Sequence, residues 1–205
     1  MALENKLGIT DSSELARTEE LFSKMAAVSL YDSGKLDALT PGTYASLQEI
    51  HRALFEEIYD FAGQTRLVNL AKGNFRFAPV MYLEDALKKI EQMPQSTFDE
   101  IVEKYVEMNV AHPFREGNGR AARIWLDLML KKGIGKVIDW SQIDKEDYLL
   151  AMERSPVRDV EIKQLLLHSL TDRIHDRELF MKGIDHSYYY EGYNTYTAAA
   201  LSRKQ

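Results

Sequence analysis

From His112 to Arg120 the chain reads His-Pro-Phe-Arg-Glu-Gly-Asn-Gly-Arg, and this stretch constrains the fold more than any other. One helical pattern leads through Ile101, Tyr105 and Met108 to His112, and a second carries Arg120 to Lys132. Proline cannot continue a helix and pushes the residue before it out of the helical region, so the first helix stops at His112. Glycines at 117 and 119 then open the second. The two helices must therefore meet at a tight corner, with the unpaired amides and the positive dipole end of the second facing whatever occupies it.

Those are the surroundings of an anion, and the side chains agree. Glycine lets the backbone approach a phosphate without a Cβ in the way, and successive amides in such a turn form an anion nest. Arg120 adds a planar fork that matches phosphate oxygens. His112, with a reference pKa of about 6.5, can accept a proton near neutral pH. Glu116 offers the hard oxygen that Mg²⁺ prefers, and Asn118 can orient a phosphate oxygen.

The string resembles the Fic motif, HPFx[D/E]GNGRxxR, at every specified position, Arg123 included. The related Doc type carries Lys where this chain has Gly119 and is associated with phosphorylation, so Gly119 favours transfer of a nucleoside monophosphate. The resemblance implies ATP as co-substrate with Mg²⁺ or Ca²⁺, His112 as the catalytic base and Glu116 as the metal ligand. Lys72, Asn109, Ala111, His112, Gly117, Asn118, Gly119, Arg120 and Arg123 are the expected nucleotide contacts, with the adenine near Tyr148 to Met152.

Composition narrows the setting. The 205 residues are 45% hydrophobic, enough for one sizeable core, and the net charge of −6 leaves no general basic field for nucleic acid. There is no cysteine, hence no disulfide framework or thiolate metal site. No stretch approaches the roughly 20 apolar residues that span a bilayer, and a cytoplasmic protein with no membrane partner is expected.

Helical patterning dominates the rest. Asp11 with Glu14 reads as a capping box before Leu15, Phe22, Met25 and Leu30, with the helix closing near Gly34. Thr40-Pro41 reads as the start of the next, with Tyr44, Leu47, Ile50, Leu54 and Ile58 on one stripe ahead of Gly63. A third spans about 82–93, and Thr97 with Glu100 starts the one that ends at His112. Asp144 and Asp159 cap two more, and a last stretch from Asp176 to about Tyr190 is interrupted by Gly183. An all-α bundle follows, with one exception: residues 66–79 alternate around Lys72-Gly73-Asn74 as a short hairpin. Fic proteins carry a hairpin flap at this place that docks the target by adding a strand, which assigns that role to Gly73, Asn74, Phe75, Arg76 and Phe77.

Ser187-Tyr-Tyr-Tyr-Glu191-Gly192 resembles the inhibitory motif [S/T]xxxE[G/N] of the class III Fic subgroup, in which the inhibitory helix is C-terminal. Ser187, Glu191 and Gly192 are thus expected to be regulatory, with Glu191 forming a salt bridge to Arg120 and displacing the ATP γ-phosphate. The expected organisation is a core over 1–175, an inhibitory helix over 176–192 and a disordered tail over 193–205. His51, His168, His175 and His186 sit singly and read as surface or capping residues. Gly133-Ile-Gly-Lys136 lacks the Walker spacing.

The expected activity is transfer of AMP from ATP to a Tyr, Thr or Ser hydroxyl of a target protein. Two alternatives stand beside it: removal of AMP in the same pocket, with Glu191 activating a water, and a non-catalytic nucleotide-binding module, against which the intact His112 speaks. The resemblance implies a target such as a bacterial type II topoisomerase or the protein itself, and self-association as a homo-oligomer.

Overall fold

The structure, a computed structural model, describes residues 2–73 and 75–202. Asn74 of the expected flap therefore lies outside the described residues, as do 203–205. The architecture is mainly helical, with two short antiparallel strand pairs. At its centre is α6 (Asn118–Ile134), on which Ala121, Ile124, Trp125, Leu126, Leu128, Met129 and Leu130 are all buried. A helix apolar on nearly every face has to be surrounded. It packs against α3 (Tyr44–Phe55), α5 (Phe98–Ala111) and α9 (Arg177–Tyr190), and α1 (Ser12–Asp32) covers α3 and α9 from outside.

Local chemistry sets most boundaries where the sequence put them. The Asp11 carboxylate accepts from the Glu14 amide at 2.8 Å, and Thr97 with Glu100 forms a complete capping box. After a short α2 (Lys35–Ala38), α3 begins at Tyr44 under a Thr43 cap rather than at Thr40. Gly42, at φ 76°, holds a left-handed turn that no first helical turn can contain. The helix ends at Phe55, yet Ile58 and Tyr59 remain buried in the following turn. α4 is Val80–Glu91, two residues earlier than expected. α7 (Lys145–Arg154) and α8 (Val160–His168) follow Asp144 and Asp159.

The expected interruption of the last long helix at Gly183 does not occur. A Cβ there would lie 3.1 Å from the Trp140 ring, so the glycine serves close packing. β3 (Val137–Ile138) pairs with β4 (Leu170–Thr171), a contact too short to leave an alternating pattern in the sequence. Nor is the chain after Gly192 a loose tail as far as residue 202. Glu20 and Lys24 of α1, each about 1% exposed, need partners. The main chain of 195–196 supplies them: Glu20 accepts from the Thr195 and Tyr196 amides, and Lys24 donates to the Tyr196 carbonyl at 2.6 Å. α10 (Ala198–Leu201) then buries Ala198 and Leu201. No helix among the described residues is long and apolar enough to cross a membrane.

Candidate active site

α5 ends at His112, the one non-glycine residue with positive φ among those described (φ 49°, ψ 62°). A left-handed residue other than glycine costs roughly 1–2 kcal/mol, so its surroundings must hold it. Its Nδ1 lies 3.3 Å from the Asn109 carbonyl, which can only accept, so Nδ1 carries the proton and Nε2 the lone pair. The Phe77 ring stacks on the imidazole at 3.6 Å between centroids, with 15° between planes. Burial pushes the His112 pKa down to about 4; the Asn109 carbonyl and Glu191 oppose this in part, and Arg66 and Lys72 add to it. The ring is neutral at physiological pH.

The corner that follows is braced from inside. Asn118 accepts from the Phe114 amide at 2.8 Å and donates to the Phe114 carbonyl at 2.7 Å, so its side chain staples the loop instead of reaching for a phosphate. Gly117, at φ 75°, lies under Phe55, where a Cβ would approach the ring to 2.4 Å. His51, expected at the surface, is fully buried. Its Nδ1 accepts from the Gly63 amide, its Nε2 donates to the Glu116 carbonyl at 2.8 Å, and its ring stacks on Phe114. His51 lies on the buried stripe of α3 between Leu47 and Leu54, and that spacing is the signal that places it in the core.

The two arginines of the motif part company. Arg120 turns inward and is fully buried. It donates to Glu19 at 2.5 Å and to Glu116 Oε1 at 3.0 Å, with the rings of Phe55, Tyr188 and Tyr193 around its guanidinium. Tyr59 and Tyr193 donate to Glu19 from the other side. The expected Arg120–Glu191 pair is therefore corrected: Glu191 bonds Arg123, at 2.6 Å from Nη2. Residues three apart sit one turn above each other on neighbouring positions of one helix side, so both arginines meet α9, Arg120 at the Tyr188 ring and Arg123 at Ser187, and their side chains then part toward Glu19 and toward Glu191.

Arg123 is wholly taken up. Its Nε donates to Ser187 Oγ at 2.7 Å, Nη2 to the Ser187 carbonyl at 2.9 Å as well as to Glu191, and Nη1 to the Tyr148 hydroxyl at 3.3 Å. Burial raises the Glu191 pKa, but the charges of Arg123 and Arg120 and the Arg123 hydrogen bond outweigh it, so the carboxyl stays below its ordinary value and ionised. A Cβ on Gly119 would sit 2.2 Å from Glu191 Oε1. The bare Cα at 119 is thus what admits a carboxylate over the first turn of α6. Gly192, at φ 93°, reverses the chain directly after it.

These residues line one cleft of about 750 Å³, within the range of roughly 300–1,000 Å³ usual for small-molecule sites. The corner and α9 contribute His112, Glu116, Gly117, Asn118, Gly119, Arg123 and Glu191 to its lining, the flap and α5 contribute Lys72, Gly73, Phe75, Phe77 and Asn109, and α7 contributes Tyr148, Leu149, Met152 and Glu153. Two expected nucleotide contacts, Ala111 and Arg120, are sealed in the core, and of the expected regulatory residues Ser187 sits behind Arg123 and Gly192 does not line the cleft. The flap is shorter than expected, β1 (Ala71–Lys72) pairing with β2 (Phe75–Arg76) across a turn led by Gly73 at φ 58°. Arg76 is exposed and outside the cleft. Nothing local points to the roles of Glu19 and Arg66 or to the Phe77 stack, because each depends on a partner far along the chain.

A mainly helical fold with this corner defines the class. The Fic/DOC family profile matches residues 41–130. The chain is 31% identical over 167 residues to the probable protein adenylyltransferase y4lH of Sinorhizobium fredii, aligning 75% of this chain with 82% of that one. It belongs to the Fic/DOC family. It is also 33% identical over 159 residues to the protein adenylyltransferase VbhT of Bartonella schoenbuchensis, covering 70% of this chain but spanning only 31% of VbhT. Against the probable protein adenylyltransferase Fic of Escherichia coli the identity is 27%, over 86% of this chain and 90% of the other. Among solved structures, the BepC protein of Bartonella tribocorum with bound AMPPNP superposes with a TM-score of 0.67 at 22% identity, over 83% of this chain and 93% of that one. At that identity the likeness speaks to the fold.

Proposed function

We propose that this protein is a protein adenylyltransferase restrained by its own C-terminal helix. The reading rests on one arrangement: a neutral histidine whose Nε2 has no hydrogen bond among the described residues shares a cleft with the orphan amides at the start of α6. The hydroxyl oxygen of a Tyr, Thr or Ser attacks the α-phosphorus of ATP, the bond to the bridging oxygen of pyrophosphate breaks, and the hydroxyl proton passes to His112 Nε2. Ala121 is the first residue of α6 with an intrahelical amide bond, so the amides before it face the phosphates and offset developing charge. The target segment adds alongside the flap hairpin.

A divalent ion fits Glu116. Arg120 and the Gly117 amide both engage Oε1, and Oε2 has no hydrogen bond among the described residues. No cluster of three acidic, His or Cys side chains among them could hold a metal alone, and one carboxylate completed by substrate phosphates is the usual setting for Mg²⁺. Bound there, the ion neutralises phosphate charge.

Restraint follows from occupancy. Arg123 is the fork available to the γ-phosphate, and Ser187, Glu191 and Tyr148 between them take up all three of its nitrogens. ATP entering beside Glu191 has to settle without that grip, which leaves the α-phosphorus out of line with the attacking oxygen. On this reading the chain groups with the class III subgroup. Labelled ATP and a host lysate test the whole reading: Glu191→Gly should label a target, and Glu191→Gly combined with His112→Ala should not. Absence of labelling by Glu191→Gly, or labelling that survives the added His112→Ala, would contradict it.

A second direction, removal of AMP, is favoured by the ionised Glu191 carboxylate entering the same cleft as His112. Glu191 would activate the water and His112 would protonate the departing hydroxyl. Ca²⁺, with looser and more numerous ligands than Mg²⁺, suits the water geometry better. The lowered pKa of His112 works against this direction, since it favours taking a proton over giving one. AMP release from a labelled target, lost on Glu191→Gly, would establish it.

A further inference from the structure

The last carbonyls of a helix have no partner within it, and in α5 they fall at the residue proposed as the base. All four from 110 to 113 are satisfied by the two ends of the flap. The Ala78 amide donates to the Val110 carbonyl at 3.0 Å, and the Arg66 amide to the Pro113 carbonyl at 2.8 Å. The Arg66 guanidinium takes the two between, Nη2 reaching Ala111 at 3.1 Å and Nε reaching His112 at 2.7 Å. The same side chain also holds the flap to itself, donating to the Val68 carbonyl at 2.7 Å and the Ala78 carbonyl at 2.6 Å.

Arg66 is 3% exposed, and all of its side-chain hydrogen-bond partners among the described residues are main-chain carbonyls. A buried guanidinium spent on four carbonyls, with a cation placed at a helix C-terminus, is a fastening. It joins the exposed hairpin to the left-handed His112, while Phe77 from the same hairpin holds the imidazole face. We propose that Arg66 is a positioning residue: it clamps the root of the flap onto His112, so that the element expected to dock the target and the base that takes its proton form one rigid unit. Arg66 does not line the cleft and touches no reacting group. The inference rests on the reading of His112 and the flap given above.

The test uses the full chain carrying Glu191→Gly, with Arg66→Ala, Arg66→Lys and His112→Ala added singly. ATP dissociation constants should stay within about twofold of the parent, because the cleft keeps its lining. Target labelling should lose about 10²-fold in kcat for Arg66→Ala, the size expected when a reacting group is displaced by about 1 Å. Arg66→Lys keeps the charge and stem but not the fork, and should recover part of that loss. Normal kcat in Arg66→Ala at a temperature where it is folded overturns the proposal, and so does equal loss of ATP binding and kcat. If Arg66→Ala does not fold, Arg66→Lys is read the same way. Hydrogen exchange on the unmodified chain gives an arm independent of variants: the Arg66 and Ala78 amides should be protected like the middle of α5, and exchange as fast as the flap tip would refute the clamp. If His112→Ala labels the target normally, the base reading fails. If His112→Ala is inactive while both Arg66 variants keep full kcat, this inference alone fails.

Discussion

The core side and the cleft side of the first turn of α6 are built from the same residue types and do opposite work. On the core side Arg120 meets Glu19, Glu116 and three aromatic rings, with Tyr59 and Tyr193 completing the Glu19 carboxylate. On the cleft side Arg123 meets Ser187, Glu191 and Tyr148. The first set joins α1, α3 and the C-terminal segment into one buried network. The second joins α6 to α7 and α9 at the cleft, where the Glu191 side chain is still 24% exposed. Similar pairs of charges thus sit sealed among core neighbours in one case and at the edge of a cleft in the other, and only the second is placed for the restraint proposed above.

The largest expected effect breaks the cleft side at its base. In the Glu191→Gly background, His112→Ala should lower transfer by about 10²- to 10⁴-fold with ATP affinity nearly intact, measured by target labelling and calorimetry. Next comes the core side: Glu19→Ala leaves Arg120 buried without its closest partner and should destabilise the fold by about 3–5 kcal/mol in denaturant titration. Arg123→Ala should abolish the gain from Glu191→Gly while costing about 1–3 kcal/mol in stability, because its partners are hydrogen-bond acceptors near the edge of the cleft. A result in which Arg120 and Arg123 variants lose stability and transfer in equal proportion would erase the distinction between the two sides.

The smallest effect is on pH. His112 is neutral in the folded chain down to about 4, against about 6.5 unfolded. Its folded pKa lies below the unfolded one, so stability is undiminished above about 6.5 and falls as pH drops from there to about 4. The acid limb of kcat/KM in the Glu191→Gly variant should accordingly lie near 4 rather than near 6.5. Replacing Phe77 by Ala removes the ring that covers the imidazole and should move that limb upward, which a pH series on the two variants measures directly.

Much of this was legible before the structure. The corner, the hairpin and the C-terminal helix all fall where proline, glycine and apolar spacing put them, because each is a local effect. Membership of the cleft was legible for His112, Glu116, Gly119 and Glu191. What escaped were pairings across the chain. Arg120 and Arg123 look alike in sequence and are both buried, and only the packing of α1 and α9 decides which one meets Glu19 and which meets Glu191. Arg66 heads the alternating segment, but its partners Ala111 and His112 lie about 45 residues on, so nothing local marks it as the hub of the flap. The segment after Gly192 is polar and alanine-rich, and its order comes from Glu20 and Lys24, more than 170 residues away in sequence.

The central claim is that Glu191 withholds Arg123 from ATP. Its most direct test is the initial rate of AMP transfer by purified Glu191→Gly beside the unmodified chain, at the same ATP and Mg²⁺ and with the same target-containing lysate. The account predicts a rate higher by about 5- to 150-fold, the usual span of a coupling of this kind. Transfer at the unmodified rate, with ATP bound equally in both, would contradict it.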